Sequence, residues 1–230
     1  MVLLEFIHVS KSFDSHKIFD NVNFSVEEGK ILGLVGQSGS GKTTLIRLML
    51  GVYKPDSGAV HFSHNAKHVG LASQKYAFYP RLSVLENLSY YGTMYGMKNS
   101  VITKRSKELL ELFELYHARN TRCENLSGGM QRRLDMAIAL IHSPKILILD
   151  EPTTGLDVVL KEKMWDLIQK IKSDGVTIII SSHDLDEMQD NCDEAVFIHD
   201  HCVINQKQLA KYLSKYSLED LFRGWYLERT

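Results

Sequence analysis

The sequence predicts an α/β fold: a parallel-sheet core with a small antiparallel part, interrupted by an inserted helical segment. Three observations predict it. Short apolar runs at 31–35, 146–149 and 176–180 alternate with amphipathic stretches, the pattern of strands covered on both faces by helices. A glycine-rich loop at 36–43 joins the first of these runs to a helical stretch. From Tyr76 to about Asn125 the apolar spacing turns helical and the strand pattern stops. The chain of 230 residues is 44% hydrophobic and 24% charged, ordinary values for a globular protein able to bury one large core.

Taken in order, residues 3–9 read as a strand, and Val22, Phe24 and Val26 alternate with polar residues as in a half-buried strand. Glu28-Gly29 turns the chain into the apolar run Ile31-Leu32-Gly33-Leu34-Val35. Gly36-Gln37-Ser38-Gly39-Ser40-Gly41-Lys42-Thr43 then fits the phosphate-binding pattern G-x-x-x-x-G-K-[ST] at every fixed position, and a helix follows from Thr44 to Leu50. Strand, glycine loop and helix N-terminus make an anion cradle, because backbone N–H groups converge on phosphate oxygens where the helix dipole is positive. Lys42 reaches the β- and γ-phosphates in such a loop, and the Thr43 hydroxyl ligates Mg²⁺. The loop predicts nucleoside triphosphate binding.

Short strands follow at 60–62 and 69–72, and then the helical segment, broken at Tyr79-Pro80. Ser83-Val84-Leu85-Glu86 is a capping box opening one helix, and Val101 to Tyr116 reads as a second. The alternation resumes with helix 129–141, strand 146–149, helix 158–171 and strand 176–180. The run Ile146-Leu147-Ile148-Leu149 ends in Asp150-Glu151, delivering two acids to the C-terminal edge of a central strand, where open α/β sheets bind ligands. An acid in the place of Asp150 holds Mg²⁺ through water in phosphate-loop enzymes, and Glu151 can polarise the attacking water. Leu126-Ser127-Gly128-Gly129-Met130-Gln131 is a second Ser/Gly-rich loop opening a helix, with Leu134, Ile138 and Ile141 on one side.

The net charge of −1 supplies no basic field, which argues against nucleic-acid binding. Three widely spaced cysteines, Cys123, Cys192 and Cys202, form no C-x-x-C pair and read as reduced thiols, not as a disulfide framework or metal site. No apolar run is long enough to span a bilayer, and residues 1–9 read as a strand carrying Glu5, not as a signal peptide. Work at a membrane is therefore expected through partners.

These motifs, in their order and over essentially the whole chain, resemble those of the ATP-binding-cassette (ABC) ATPases, a P-loop NTPase family with a RecA-like core and an inserted helical subdomain. The resemblance implies a core at 1–74 and 126–205, a helical subdomain at 75–125 and a C-terminal helical extension at 206–230. It implies that Gly36, Gln37, Ser38, Gly39, Ser40, Gly41, Lys42, Thr43 and Thr44 bind ATP, with Phe13 stacking on adenine and Ile18 against the ribose. Thr43, Gln74 and Asp150 would hold Mg²⁺, while Glu151, His183, Gln74 and Lys42 serve hydrolysis. Ser127, Gly128 and Gly129 would close over the γ-phosphate held by a second ABC ATPase subunit, the same chain or another, in an ATP-dependent head-to-tail dimer. Thr153-Thr154-Gly155-Leu156-Asp157 resembles the loop that communicates across that dimer.

Met130 departs from the commonest signature, and with Arg132-Arg133, the wording of 151–157 and Ser217-Leu218-Glu219-Asp220-Leu221-Phe222 it resembles the branch serving ABC-2-type exporters. Val158 stands where that branch often has proline, and the stretch 58–74 is short, so a trimmed antiparallel sheet is expected. The implied partners are transmembrane permease subunits, through which the chain would sit, cytoplasmic and peripheral, on the cytoplasmic face of the cell membrane, with no nucleic acid and no membrane contact except through them. Tyr76 to Leu82 would meet the permease, with Phe78 and Tyr79 as anchors; Tyr90, Tyr91 and Tyr95 either line that groove or pack the subdomain. The alternative is a soluble ABC ATPase such as an iron–sulfur-assembly ATPase, distinguished by the lack of a membrane-spanning partner.

Overall fold

Strand and helix alternate along the residues described by this computed structural model, 1–63, 68–199 and 201–205. The chain divides into two compact units. One holds Met1–Glu27, Leu32–Ser63 and the described residues from His183 onward; the other holds Glu28–Ile31 and the described residues up to Ser182. The expected C-terminal extension, and with it the Ser217-to-Phe222 motif, lies outside the described residues.

The first unit is built on two long strands, β1 (Val2–Phe13) and β2 (His16–Glu27), joined by a tight turn in which Asp14 takes φ 51°. They pair antiparallel, with Phe6 opposite Phe24 and the two rings stacked at 4.6 Å. Strand β4 (Ser57–Phe62) pairs with the other edge of β1, giving the small antiparallel sheet β2-β1-β4. In the same unit β3 (Ile31–Val35) runs parallel to β8 (Glu194–His199), and β9 (Cys202–Asn205) adds antiparallel to β8. Every residue of β3 is buried, as a strand covered on both faces requires. Helix α1 (Lys42–Met49) follows β3, and α6 (Leu185–Asn191) precedes β8 with Asp184 accepting from the Glu187 N–H at 3.2 Å.

The second unit carries three parallel strands, β5 (Val69–Ala72), β6 (Ile146–Asp150) and β7 (Thr177–Ser182), in the order β5-β6-β7. All of β6 and β7 is buried. The turn before β3 docks here: Gly29 N–H donates to Thr177 Oγ1 at 2.9 Å and Ile178 N–H to the Lys30 carbonyl at 2.9 Å. Helix α4 (Gly128–Leu140) lies against β5, where a Cβ on Gly70 would overlap the Ala139 carbonyl. Expected to bury one side, α4 instead buries every residue from Leu134 to Leu140, because neighbouring elements cover it all round. Helix α5 (Val158–Ser173) is capped by Asp157, which accepts from Leu160 N–H at 2.9 Å.

The helical segment differs from expectation at two places. Tyr76 to Leu82 is not helical. Asn87, fully buried, accepts from the Tyr79 N–H at 2.8 Å and donates to the Tyr79 and Ser83 carbonyls at 3.1 and 3.0 Å, which fixes an irregular loop around Pro80. Helix α2 (Val84–Met94) then starts at the expected capping box, with Ser83 N–H to Glu86 Oε2 at 2.7 Å and Glu86 N–H to Ser83 Oγ at 3.2 Å. Helix α3 (Asn99–Leu112) stops four residues before Tyr116, because Glu114 takes φ 56° and the chain continues through a single 3-10 turn, Tyr116–Ala118. Of the three free cysteines Cys123 is buried, and burial pushes its thiol up to about 11, so it stays protonated and unreactive.

Helix α4 also buries a carboxyl group. Burial pushes Asp135 from its ordinary 3.8 up to about 6, against the opposing effects of the Ala77 N–H and the Arg132 guanidinium. Between those values the folded chain keeps a proton that the unfolded chain has lost. The stabilisation is complete below the unfolded value, is lost as pH rises through about 6, and is flat beyond. Asp135→Asn removes this dependence. Chemical denaturation at pH 4 and pH 7 should show the variant gaining about 2–3 kcal/mol relative to the parent at the higher pH.

Candidate active site

In the first unit the phosphate loop connects β3 to α1. Ser40 N–H donates to the Gln37 carbonyl at 3.2 Å and Gly41, at φ 107°, caps the helix. Side chains are excluded at two of its glycines. A Cβ on Gly36 would lie 2.8 Å from the Ile198 carbonyl oxygen, and one on Gly41 2.9 Å from Phe19 Cζ and 3.1 Å from Ile18 Cγ2. Ile18 therefore packs on the loop itself. The Lys42 ammonium is buried and donates to the Gly36 and Gln37 carbonyls at 2.7 and 3.0 Å, so it already points back over the loop. Thr43 is exposed, Thr44 half-buried, and Ser38 and Gly39 form the exposed tip. Phe13 ends β1 with 38% of its surface exposed; its ring meets Tyr53 edge-on at 5.1 Å, and the Lys11 ammonium stands 5.3 Å from its centre. His183 is exposed, one residue before the cap of α6.

In the second unit β6 delivers Asp150 and Glu151 to its C-terminal end, both buried. Two acids there need hydrogen bonds. Strand β7 supplies them through Ser181, whose hydroxyl donates to Asp150 Oδ1 at 2.6 Å and accepts from Glu151 N–H at 2.9 Å. Glu151 stands at φ 52°, a left-handed conformation that costs about 1–3 kcal/mol for a residue with a Cβ and concentrates at functional sites. Its carboxylate oxygen Oε2 accepts from Gln74 Nε2 at 3.3 Å and from Thr154 Oγ1 at 3.2 Å. Gln74, Asp150 and Glu151 thus lie in one hydrogen-bonded cluster. The 126–129 loop lies in the same unit at the start of α4, where Ser127 Oγ accepts from Met130 N–H at 3.3 Å.

A family profile described as ABC transporter matches residues 19–154. A lantibiotic transport ATP-binding protein of Streptococcus pyogenes is 33% identical over 228 residues, covering 96% of this chain and 96% of that protein. The chain belongs to the ABC transporter ATP-binding family. A Nod factor export ATP-binding protein of Burkholderia lata is 34% identical, the match covering 86% of this chain and 68% of that protein. ABC transporter G family member 23 of Dictyostelium discoideum is 36% identical, and the chain spans only 33% of it. A solved ATP-binding subunit of an ABC transporter has the same fold, with a TM-score of 0.84 at 23% identity over 97% of this chain and 99% of that one. A dimeric ATP-binding cassette in a post-hydrolysis state, bound to ADP and Pi, matches with a TM-score of 0.78 at 27% identity over 87% and 96% of the two chains.

As a member of this ATPase family, the cassette binds and hydrolyses ATP. Two residues of the carboxylate cluster were not expected there: Ser181, and Thr154, which reads from sequence only as part of the loop that communicates across the dimer. A signal for Ser181 was present: a hydroxyl ends the apolar run 178–180, and parallel register sets it opposite Asp150. Within the second unit the donors suit Mg²⁺: a Gln74 amide oxygen and an Asp150 carboxylate are hard oxygens, and Asp150 has one oxygen oriented by Ser181. Ser181→Ala removes both hydroxyl bonds. Thermal or urea unfolding should show a loss of about 1–3 kcal/mol. ATP turnover should fall about tenfold or more with nucleotide binding retained, since Glu151 loses the shorter of the two bonds its N–H makes to Ser181 and Asp150 loses its hydroxyl donor; unchanged turnover would detach Ser181 from the site.

Proposed function

We propose that this cassette is the nucleotide-binding subunit of an ABC exporter, working in a head-to-tail pair with a second cassette at the cytoplasmic face of a membrane. The observation that carries the paired arrangement is Gly128. It is the first residue of α4, and a Cβ placed on it would meet nothing within 4 Å; Gly129 is nearly as open, 3.7 Å from Leu160. Glycine in a helix costs about 0.5–1 kcal/mol relative to alanine, and nothing among the described residues requires it at 128. A bare backbone at a helix N-terminus suits the close approach of a phosphate from outside the chain.

In this reading residues 36–44 cradle the triphosphate, Lys42 exchanging its loop carbonyls for phosphate oxygens, and Phe13 offers its exposed ring to the base. Thr43, Gln74 and Asp150 would hold Mg²⁺, which supplies charge neutralisation at the phosphates. Glu151 takes or orients the proton of the attacking water and His183 donates to the γ-phosphate. Ser127, Gly128 and Gly129 of the second cassette complete the cradle. Hydrolysis removes the γ-phosphate contact that held the pair closed, and the motion drives the permease.

An open, largely apolar groove on α2 supports docking of such a permease. Leu82, Leu85, Tyr90, Thr93 and Met94 line it beside Glu86. Tyr79 borders it, its hydroxyl 3.1 Å from that of Tyr90. Phe78, expected as an exposed anchor, is instead buried and stacked on Tyr76 at 5.1 Å. Tyr91 donates to the Ala77 carbonyl at 2.5 Å and Tyr95 stacks on His142 at 3.8 Å, so both pack within the unit. Export as the direction, and a permease rather than a soluble partner, are supported by relatives named for Nod factor export, linearmycin resistance and lantibiotic transport.

Glu151→Gln should abolish turnover, retain ATP binding and accumulate a dimer in Mg-ATP on size-exclusion chromatography. Used as bait in solubilised membranes of the source, it should recover a multi-spanning membrane protein in stoichiometric amount; recovery of soluble partners alone would sink the exporter reading. Gly128→Ala should leave thermal stability unchanged or slightly raised, since nothing near it is crowded, while preventing the ATP-dependent dimer. Normal dimerisation of that variant would remove the loop from the interface.

A further inference from the structure

Helix α4 buries two charged side chains, Arg132 and Asp135, and each bonds to backbone of the segment that carries Gln74. The Arg132 guanidinium donates to the Ser73 carbonyl at 3.2 Å, one residue before Gln74, and lies 5.1 Å from the centre of the Tyr76 ring. Asp135 Oδ1 accepts from the Ala77 N–H at 2.7 Å, three residues after it. Tyr91 holds the same residue from the other side through the Ala77 carbonyl. Gln74, between these tethers, donates to Glu151 at 3.3 Å.

We infer that Arg132 and Asp135 are positioning residues for ATP hydrolysis, clamping the backbone on either side of Gln74 so that its amide is held against Glu151. The inference rests on the reading of Gln74 and Glu151 as groups that serve hydrolysis. Packing alone does not account for the two charges. Apolar residues of similar volume commonly serve a helix interior at no loss of stability, whereas buried charges carry a desolvation cost. That cost is visible here: Asp135 Oδ2 is buried without a hydrogen-bond partner among the described residues, and burial raises the carboxyl. What the charges add is direction. A carboxylate oxygen on an N–H and a guanidinium on a carbonyl fix the position of a loop that has no helix or strand of its own, and an ångström of slack at a positioning group costs about a hundredfold in rate. Both residues bond to the backbone beside Gln74, so each acts through Gln74.

The test is a double-variant cycle read in steady-state ATP turnover of the full chain, with thermal unfolding recorded for every variant. Asp135→Leu should lower kcat about tenfold with KM for ATP within about twofold, the split expected of a positioning role. Asp135→Asn, which keeps an acceptor for the Ala77 N–H, should restore kcat to within about threefold of the parent. In a Gln74→Ala background Asp135→Leu should cost less than about twofold further, because the group it positions is already gone. Unchanged kcat in Asp135→Leu, or losses that multiply in the double variant, would overturn the inference. If Asp135→Leu does not fold, Arg132→Met decides in the same cycle by the same two outcomes. Gln74→Ala turning over at the parental rate would instead refute the role of Gln74, and the clamp with it; a dead Gln74→Ala beside a fully active Asp135→Leu would refute the clamp alone.

Discussion

The Ser181 hydroxyl, bonded at once to Asp150 and to the backbone of Glu151, is the contact on which the geometry of the carboxylate cluster depends. Strand β6 is buried along its whole length, so any charge at its end emerges into a low-dielectric surround where an unpaired carboxylate is very costly. Register with β7 places one hydroxyl opposite Asp150, and that hydroxyl satisfies the acid and supports a left-handed Glu151 in the same stroke. The left-handed turn then swings the Glu151 carboxylate away from the strand axis toward Gln74 and Thr154. A cluster of polar groups is thereby assembled on rigid parallel strands, which gives the precision that a loop alone lacks.

The two glycine-rich loops answer different constraints although they look alike on paper. Around 36–43 the crowding is internal: neighbouring backbone and the Phe19 and Ile18 side chains fill the space that a Cβ would need. At 128 no described residue comes within 4 Å of the place a Cβ would take. Ser127 has a local task in capping α4, which leaves the backbone of 128 and 129 as what the loop presents. Helix α4 thus carries a presented loop at one end and, two turns in, the buried pair that grips the Gln74 segment. One rigid element serves both.

Much of this was legible because the chemistry demands particular residues in fixed spacing. The phosphate loop, the strand ending in Asp150-Glu151, the capping box at Ser83 and the parallel strands are local patterns, and local patterns survive in a linear reading. Errors fell where tertiary contacts override local preference. The stretch 76–82 reads as helix broken only at Tyr79-Pro80 until Asn87 is seen bonding its backbone, and Phe78 reads as an exposed anchor until its ring is found buried on Tyr76. Helix α4 reads as amphipathic because Arg132 and Asp135 interrupt its apolar residues, yet both are inside.

The sequence by itself determined the alternation of strand and helix and the motifs whose order resembles the family's, since these are patterns of residue type and spacing along the chain. Only the tertiary structure decided which side chains hold them in place. Ser181 meets Asp150 across 31 positions and Asp135 meets Ala77 across 58, and no periodicity in a sequence encodes contacts between residues that far apart. Such pairs are set by strand register and by helix-on-sheet packing, which arise only when the apolar faces close on one another.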